Sequence, residues 1–92
     1  MRVKVRGFAS FREVMGREVQ IELSDGSMMR DLLEALYSNH DGLREALFCS
    51  QGELREGVTL FWKGRGTDPS ESMEIVLEDG DEVAILLSFS GG

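Results

Sequence analysis

The 92-residue sequence carries 17 acidic against 10 basic side chains, a formal net charge of −7. That balance argues against nucleic acid as a partner, and no apolar run approaches the ~20 residues of a membrane-spanning helix. With 41% hydrophobic and 29% charged residues, the composition is that of one folded domain with a single core, and without a signal-peptide layout a cytoplasmic protein is expected.

Val3 and Val5 alternate with Arg2, Lys4 and Arg6, which predicts a first strand with one buried and one solvated face. The basic cluster of Arg2, Lys4, Arg6, Arg12 and Arg17 reads first as solvated surface and only second as a binding patch. Val19, Ile21 and Leu23 repeat the alternation, and Met15-Gly16 offers a turn between the two runs. An antiparallel hairpin is therefore expected. Ser27 is the expected N-cap of a helix, with Asp31 complementing the helix dipole in the first turn.

Met28, Leu32, Leu33, Ala35 and Leu36 recur at helical spacing, predicting an amphipathic helix that ends around residues 39–42. Its methionines read as core filling. His40 is expected as a polar residue at the helix end, and Leu43 with Leu47 suits a further short helix. Cys49 follows Leu47-Phe48 and reads as a small apolar filler. One cysteine and one histidine supply neither a disulfide framework, a zinc site nor a Cys/His dyad, so no metal is expected.

Residues 51–57 are polar and read as a connector, and residues 58–63 as the next strand. Its register is open, because Leu60, Phe61 and Trp62 are consecutive and large; one of them is expected on the outer face. Residues 64–72 read as loop. Gly64-Arg65-Gly66 lacks the GK[ST] and the helix of a phosphate loop and is taken as a turn. Residues 73–77 suit a short strand or a turn of helix, Asp79-Gly80 a tight turn, and residues 82–87 a nearly continuous apolar strand with neighbours on both sides.

This order defines an α+β fold: a β-grasp roll, with a mixed sheet of about five strands, one main helix and a short second helix. The right-handed crossover rule places the last strand in the middle, parallel to the first. The helix-free face would then present Phe8 and Leu86, with Phe61 a third candidate, as a docking patch or as scattered surface apolars. Residues 1–87 form the domain and residues 88–92 a flexible tail.

That tail closes on Gly91-Gly92. Glycine contributes no side chain to a core and costs the most backbone entropy to order. Two in succession suit a segment that must be thin and unobstructed, so the α-carboxylate of Gly92 is the candidate reacting group. From Ser88 onward the tail reaches roughly 16 Å at ~3.3 Å per residue.

Phe8-Ala9-x-x-Arg12-Glu13-x-x-Gly16, together with Leu77-x-Asp79-Gly80-Asp81-Glu82-Val83-Ala84 running to Gly91-Gly92, resembles the MoaD family of ubiquitin-like sulfur carriers. These are small subunits of molybdopterin synthase, and the resemblance spans the whole chain in element order. It implies a carrier that is no enzyme itself and holds no cofactor. A ubiquitin-activating-type, MoeB-like adenylyltransferase would use ATP to make a C-terminal acyl adenylate. A sulfur donor would then convert it to a thiocarboxylate, which a MoaE-like large synthase subunit would receive. By the same resemblance Gly92 bears the reacting carboxyl, Gly91 permits the narrow fit, Phe8, Arg12 and Leu86 contact partners, and Phe89 lies on the inserted tail. The family commonly has Pro-Pro before its last four residues, where this chain has Leu87-Ser88. Three other readings share the pattern: a protein modifier joined through Gly92 to lysines, a ThiS-like carrier for thiazole synthesis, and a β-grasp binding module.

Overall fold

The computed structural model describes residues 1–8 and 10–87. Five strands, β1 (Arg2–Gly7), β2 (Glu18–Glu22), β3 (Val58–Trp62), β4 (Arg65–Gly66) and β5 (Glu82–Leu87), form one sheet in the order β2-β1-β5-β3-β4. Four helices, α1 (Ser10–Met15), α2 (Met29–Ser38), α3 (Leu43–Leu47) and α4 (Pro69–Ser72), complete the described chain. The last strand is central as expected, parallel to β1 and antiparallel to β3, and β1 pairs antiparallel with β2. This is the β-grasp arrangement.

Strand alternation sorts the side chains onto two faces. Val3 and Val5 of β1, Val83 and Ile85 of β5, and Val58 and Leu60 of β3 are buried on one face. Against them pack Phe11 and Met15 of α1, Met29, Leu32, Leu33 and Leu36 of α2, and Leu43 and Leu47 of α3. The ambiguous triplet resolves here: Leu60 and Trp62 pack with the core, and Phe61 takes the opposite face.

Where a turn was expected between the first strands, α1 forms instead. Phe11 and Met15 lie four apart on one side of it and are both buried. Six residues are too few for periodicity to reveal a helix. The close return of α1 also explains Gly7: a Cβ there would meet Met15 Cγ and Sδ at 3.1 Å and the Gly16 carbonyl oxygen at 3.3 Å.

Three local expectations are corrected. The N-cap of α2 is Met28, not Ser27, and the Asp31 carboxylate accepts the Met28 N–H at 2.8 Å; a first-turn acid supplies the cap that the serine was expected to give. Within the expected loop of residues 64–72, β4 pairs with β3 through a two-residue turn in which Lys63 and Gly64 both have positive φ, 53° and 79°. That backbone matches the twist of a hairpin, which is why glycine stands second. The same stretch holds α4, with Pro69 at its first turn and the Asp68 side chain accepting the Ser70 N–H at 3.0 Å. Residues 73–77 are neither a strand nor a helix. They bond to the segment leading into α2, Met29 N–H to the Ile75 carbonyl at 2.8 Å and Leu77 N–H to the Ser27 carbonyl at 2.9 Å.

The turn before β5 is tied into the sheet at several points. Asp81 is 8% exposed, and its Oδ2 accepts both the Trp62 indole N–H and the Glu78 backbone N–H at 2.9 Å. Its carbonyl accepts the Lys4 N–H at 2.9 Å, and Gly80 N–H reaches the Arg2 carbonyl at 2.8 Å. Removing the carboxylate leaves two partly buried donors without a partner. Asp81→Ala is thus expected to cost about 1–3 kcal/mol of unfolding free energy. Denaturant titration followed by the fluorescence of Trp62, the single tryptophan, measures it, and an unchanged midpoint would contradict the role.

Candidate functional site

The helix-free face of the sheet is divided along the strands. At the end where β5 begins it is charged: Arg2 pairs with Glu22 at 2.8 Å, Lys4 with Glu18 at 3.9 Å and Arg6 with Glu82 at 3.4 Å, while just beyond β3 Lys63, its ammonium 4.8 Å from the Trp62 ring centroid, pairs with Glu78 at 2.7 Å. The Glu78 hydrogen bond holds the Lys63 ammonium above its ordinary value. Each of these pairs is exposed and contributes little stability alone. Together they largely neutralise this half of the face, where a cavity of about 510 Å³ opens among Arg2, Lys4, Gln20, Glu22 and Asp79.

At the end where β5 leaves the sheet, the same face is apolar. The registers align Arg6, Ala84, Phe61 and Gly66 in one row across β1, β5, β3 and β4. One step further toward the exit, Thr59 pairs with Leu86, and Phe8 follows β1 with its N–H on the Ile85 carbonyl at 3.2 Å. Phe8, Thr59, Phe61, Ala84 and Leu86 are all half-buried. None of them belongs to the apolar set packed against the core. The Phe61 ring lies over Gly66, where a Cβ would meet it at an ordinary contact distance of 3.8 Å. The Arg6 guanidinium stands 5.7 Å from the Phe8 ring centroid and borders the patch with positive charge.

The site residues expected from sequence divide accordingly. Phe8 and Leu86 share the exit end of this face, as expected. Arg12 is exposed on α1, which packs beside β1 and β5, and among the described residues it has no ion-pair partner. Phe89, Gly91 and Gly92 lie outside the described residues, as does the whole 88–92 tail. Thr59, Ala84 and Gly66 belong to the patch and were missed. The signal for Thr59 and Gly66 was the β3 register, which placing Phe61 outward would have fixed, and Ala84 shares the β5 alternation of Leu86.

His40 and Cys49 stand apart from this surface. His40 Nδ1 lies 2.9 Å from the Leu36 carbonyl at the end of α2, the helix-terminal place expected for it. The half-buried Cys49 lies just beyond α3, and the backbone N–H groups of Gln51 and Glu53 hold its thiol below the ordinary value. Among the described residues no three His, Cys, Asp or Glu side chains gather as a metal site.

A five-stranded β-grasp whose central last strand exits beside a helix-free apolar patch is a ubiquitin-like domain. The ThiS family model matches residues 5–92, and the chain belongs to that family, the ThiS/MoaD group of ubiquitin-like sulfur carriers. It is 32% identical over 93 residues to small archaeal modifier protein 3 of Haloferax volcanii, with the whole of both chains covered. It is 36% identical over 93 residues to the molybdopterin synthase sulfur carrier subunit of Chlamydomonas reinhardtii, again over the whole of both. The crystal structure of SAMP1 from Haloferax volcanii superimposes with a TM-score of 0.86 at 27% identity, covering all of each chain.

Neighbouring positions on β5 test the two faces. Ile85→Ala, on the core side, is expected to cost about 2–5 kcal/mol, whereas Leu86→Ser on the outer face is expected to cost under about 1 kcal/mol. Equal losses in thermal or denaturant unfolding would contradict the assigned register.

Proposed function

We propose that the chain carries sulfur on the carboxyl group of Gly92 and supplies it to molybdopterin synthesis. The observation that carries this reading is the apolar patch of Phe8, Phe61 and Leu86 beside the exit of β5, five residues before Gly92 in sequence. Full-length similarity to a molybdopterin synthase sulfur carrier subunit supports the pathway.

A carboxylate is a poor electrophile, because its oxygen is a poor leaving group. A MoeB-like adenylyltransferase removes that barrier by joining the Gly92 carboxylate to the AMP of ATP with release of pyrophosphate. The terminal sulfur of a persulfide donor then attacks the carbonyl carbon and AMP departs, leaving an acyl disulfide. A thiol attacks the donor's sulfur, breaks the S–S bond by forming a new disulfide with it, and so releases the thiocarboxylate. A MoaE-like large subunit takes the tail into its pocket, where Gly91 and Gly92 fit because neither has a Cβ. The domain acts as a cosubstrate: it brings no acid, base or metal ligand to the reaction. Its patch aligns the tail by excluding water over an area that each partner matches in turn, with Arg6 and Arg12 at the border favouring acidic counterparts. The reactions belong to the cytoplasm, and no described helix is long and apolar enough to cross a membrane.

The similarity to a small archaeal modifier protein favours a second reading. The same adenylate would then be captured by a lysine amine to form an isopeptide bond. Activation is common to both readings, so the products separate them.

Incubation with ATP, a persulfide donor, a thiol reductant and the activating enzyme, followed by intact mass, is expected to show one oxygen replaced by sulfur. Lysine-linked conjugates in its place would select the modifier reading. Full modification of a chain lacking Gly91 and Gly92 would overturn both. Leu86→Asp is expected to slow activation about tenfold or more, because it places a charge in the centre of the docking patch.

A further inference from the structure

On the opposite, helix-bearing side, a cavity of about 600 Å³ opens between the 48–54 turn and α4. A second of about 300 Å³ adjoins it against α2, the two sharing Phe48, Gly52 and Met73. Together they form a continuous groove. Its floor is Tyr37, Phe48, Leu54 and Met73, all half-buried and packed on the core. The floor is also fixed in shape. Tyr37 and Phe48 meet edge to face with centroids 6.1 Å apart, and Phe48 pairs with Leu54 across the turn as an isolated bridge.

The rim is acidic. Glu34, Glu53 and Asp68 line it, against two guanidinium groups: that of Arg30, itself engaged by Glu74 at 3.8 Å, and that of Arg44, 5.8 Å from the Tyr37 ring centroid. Among the described residues Glu34 and Glu53 have no ion-pair partner. Asp68 is held by Ser70 alone, through its N–H at 3.0 Å and its hydroxyl at 2.9 Å. An apolar trough bordered by unpaired carboxylates is complementary to a segment with large aliphatic side chains flanked by Lys or Arg. Gly52, with φ of 84°, closes the turn above the groove and leaves open space where a Cβ would stand.

We propose that this groove docks a basic, apolar-anchored segment of a second protein. The sheet patch and the groove lie on opposite sides of the sheet, so the domain can be held at the groove while its tail is being used. The inference does not depend on the sulfur-carrier reading, since it involves neither the tail nor the sheet patch.

The test is titration of the isotope-labelled full chain with a synthetic amphipathic peptide of leucine and lysine, followed by amide and methyl shifts. A counterpart with glutamate in place of lysine serves as control. The expected result is shifts confined to residues 30–37, 48–54 and 68–73, with no binding of the glutamate peptide. The exposed pair Glu34→Lys and Glu53→Lys together should weaken binding about fivefold or more without altering the unfolding midpoint. Leu54→Ser should weaken it comparably, since charge alone cannot seat the segment. Absence of binding, shifts centred on residues 78–82 or on the sheet patch, or equal affinity in the Glu34→Lys/Glu53→Lys variant would overturn the proposal.

Discussion

The pairing of β5 with β1 is the interaction on which the rest of this structure depends. It joins the two ends of the described chain, with Lys4 opposite Glu82 and Gly7 opposite Ile85, and it is parallel, so no local turn can set it. Its register is fixed by burial. Val83 and Ile85 must lie with Val3 and Val5 in the core, and a slip of one residue would exchange them for Glu82, Ala84 and Leu86. The same register therefore determines what the outer face displays. The choice that buries Ile85 is the choice that presents Leu86 beside Phe8.

From that constraint follows the division of the outer face. Near the start of β5, long charged side chains lie across the strands and neutralise one another, leaving little net field. Near its end the same face carries Phe8, Phe61, Leu86 and the small Ala84 and Gly66, with Arg6 at the boundary. Apolar surface is concentrated where β5 leaves the sheet. On the helix side the acidic groove offers a separate surface of different chemistry, apolar below and negatively charged above.

The main elements were legible in the sequence because their periods are long enough to read. The β1 and β2 alternation, the α2 spacing and the apolar run of β5 each gave the right element, and the crossover rule gave the central place of β5. Elements held mainly by tertiary contact were not legible. The six residues of α1 are helical because Phe11 and Met15 can both reach the core, a reason invisible until Gly7 brings the two backbones together. The two-residue β4 depends on a left-handed Lys63, which sequence does not announce. Phe8 and Leu86 were found at the site because both follow from simple alternation. Thr59 and Gly66 were missed because they required the β3 register, and three consecutive large residues hide it. The terminal glycines were conspicuous for the opposite reason: nothing in folding asks for them.

We propose the carboxyl of Gly92 as the group on which the chemistry occurs, with the domain as its handle. ATP–pyrophosphate exchange by the activating enzyme tests it most directly, since exchange requires only the first, reversible step. Exchange is expected to depend on the intact chain, to be lost when the chain is cut after Ser90, and to be weakened at subsaturating carrier by Leu86→Asp. Undiminished exchange with the shortened chain would contradict it.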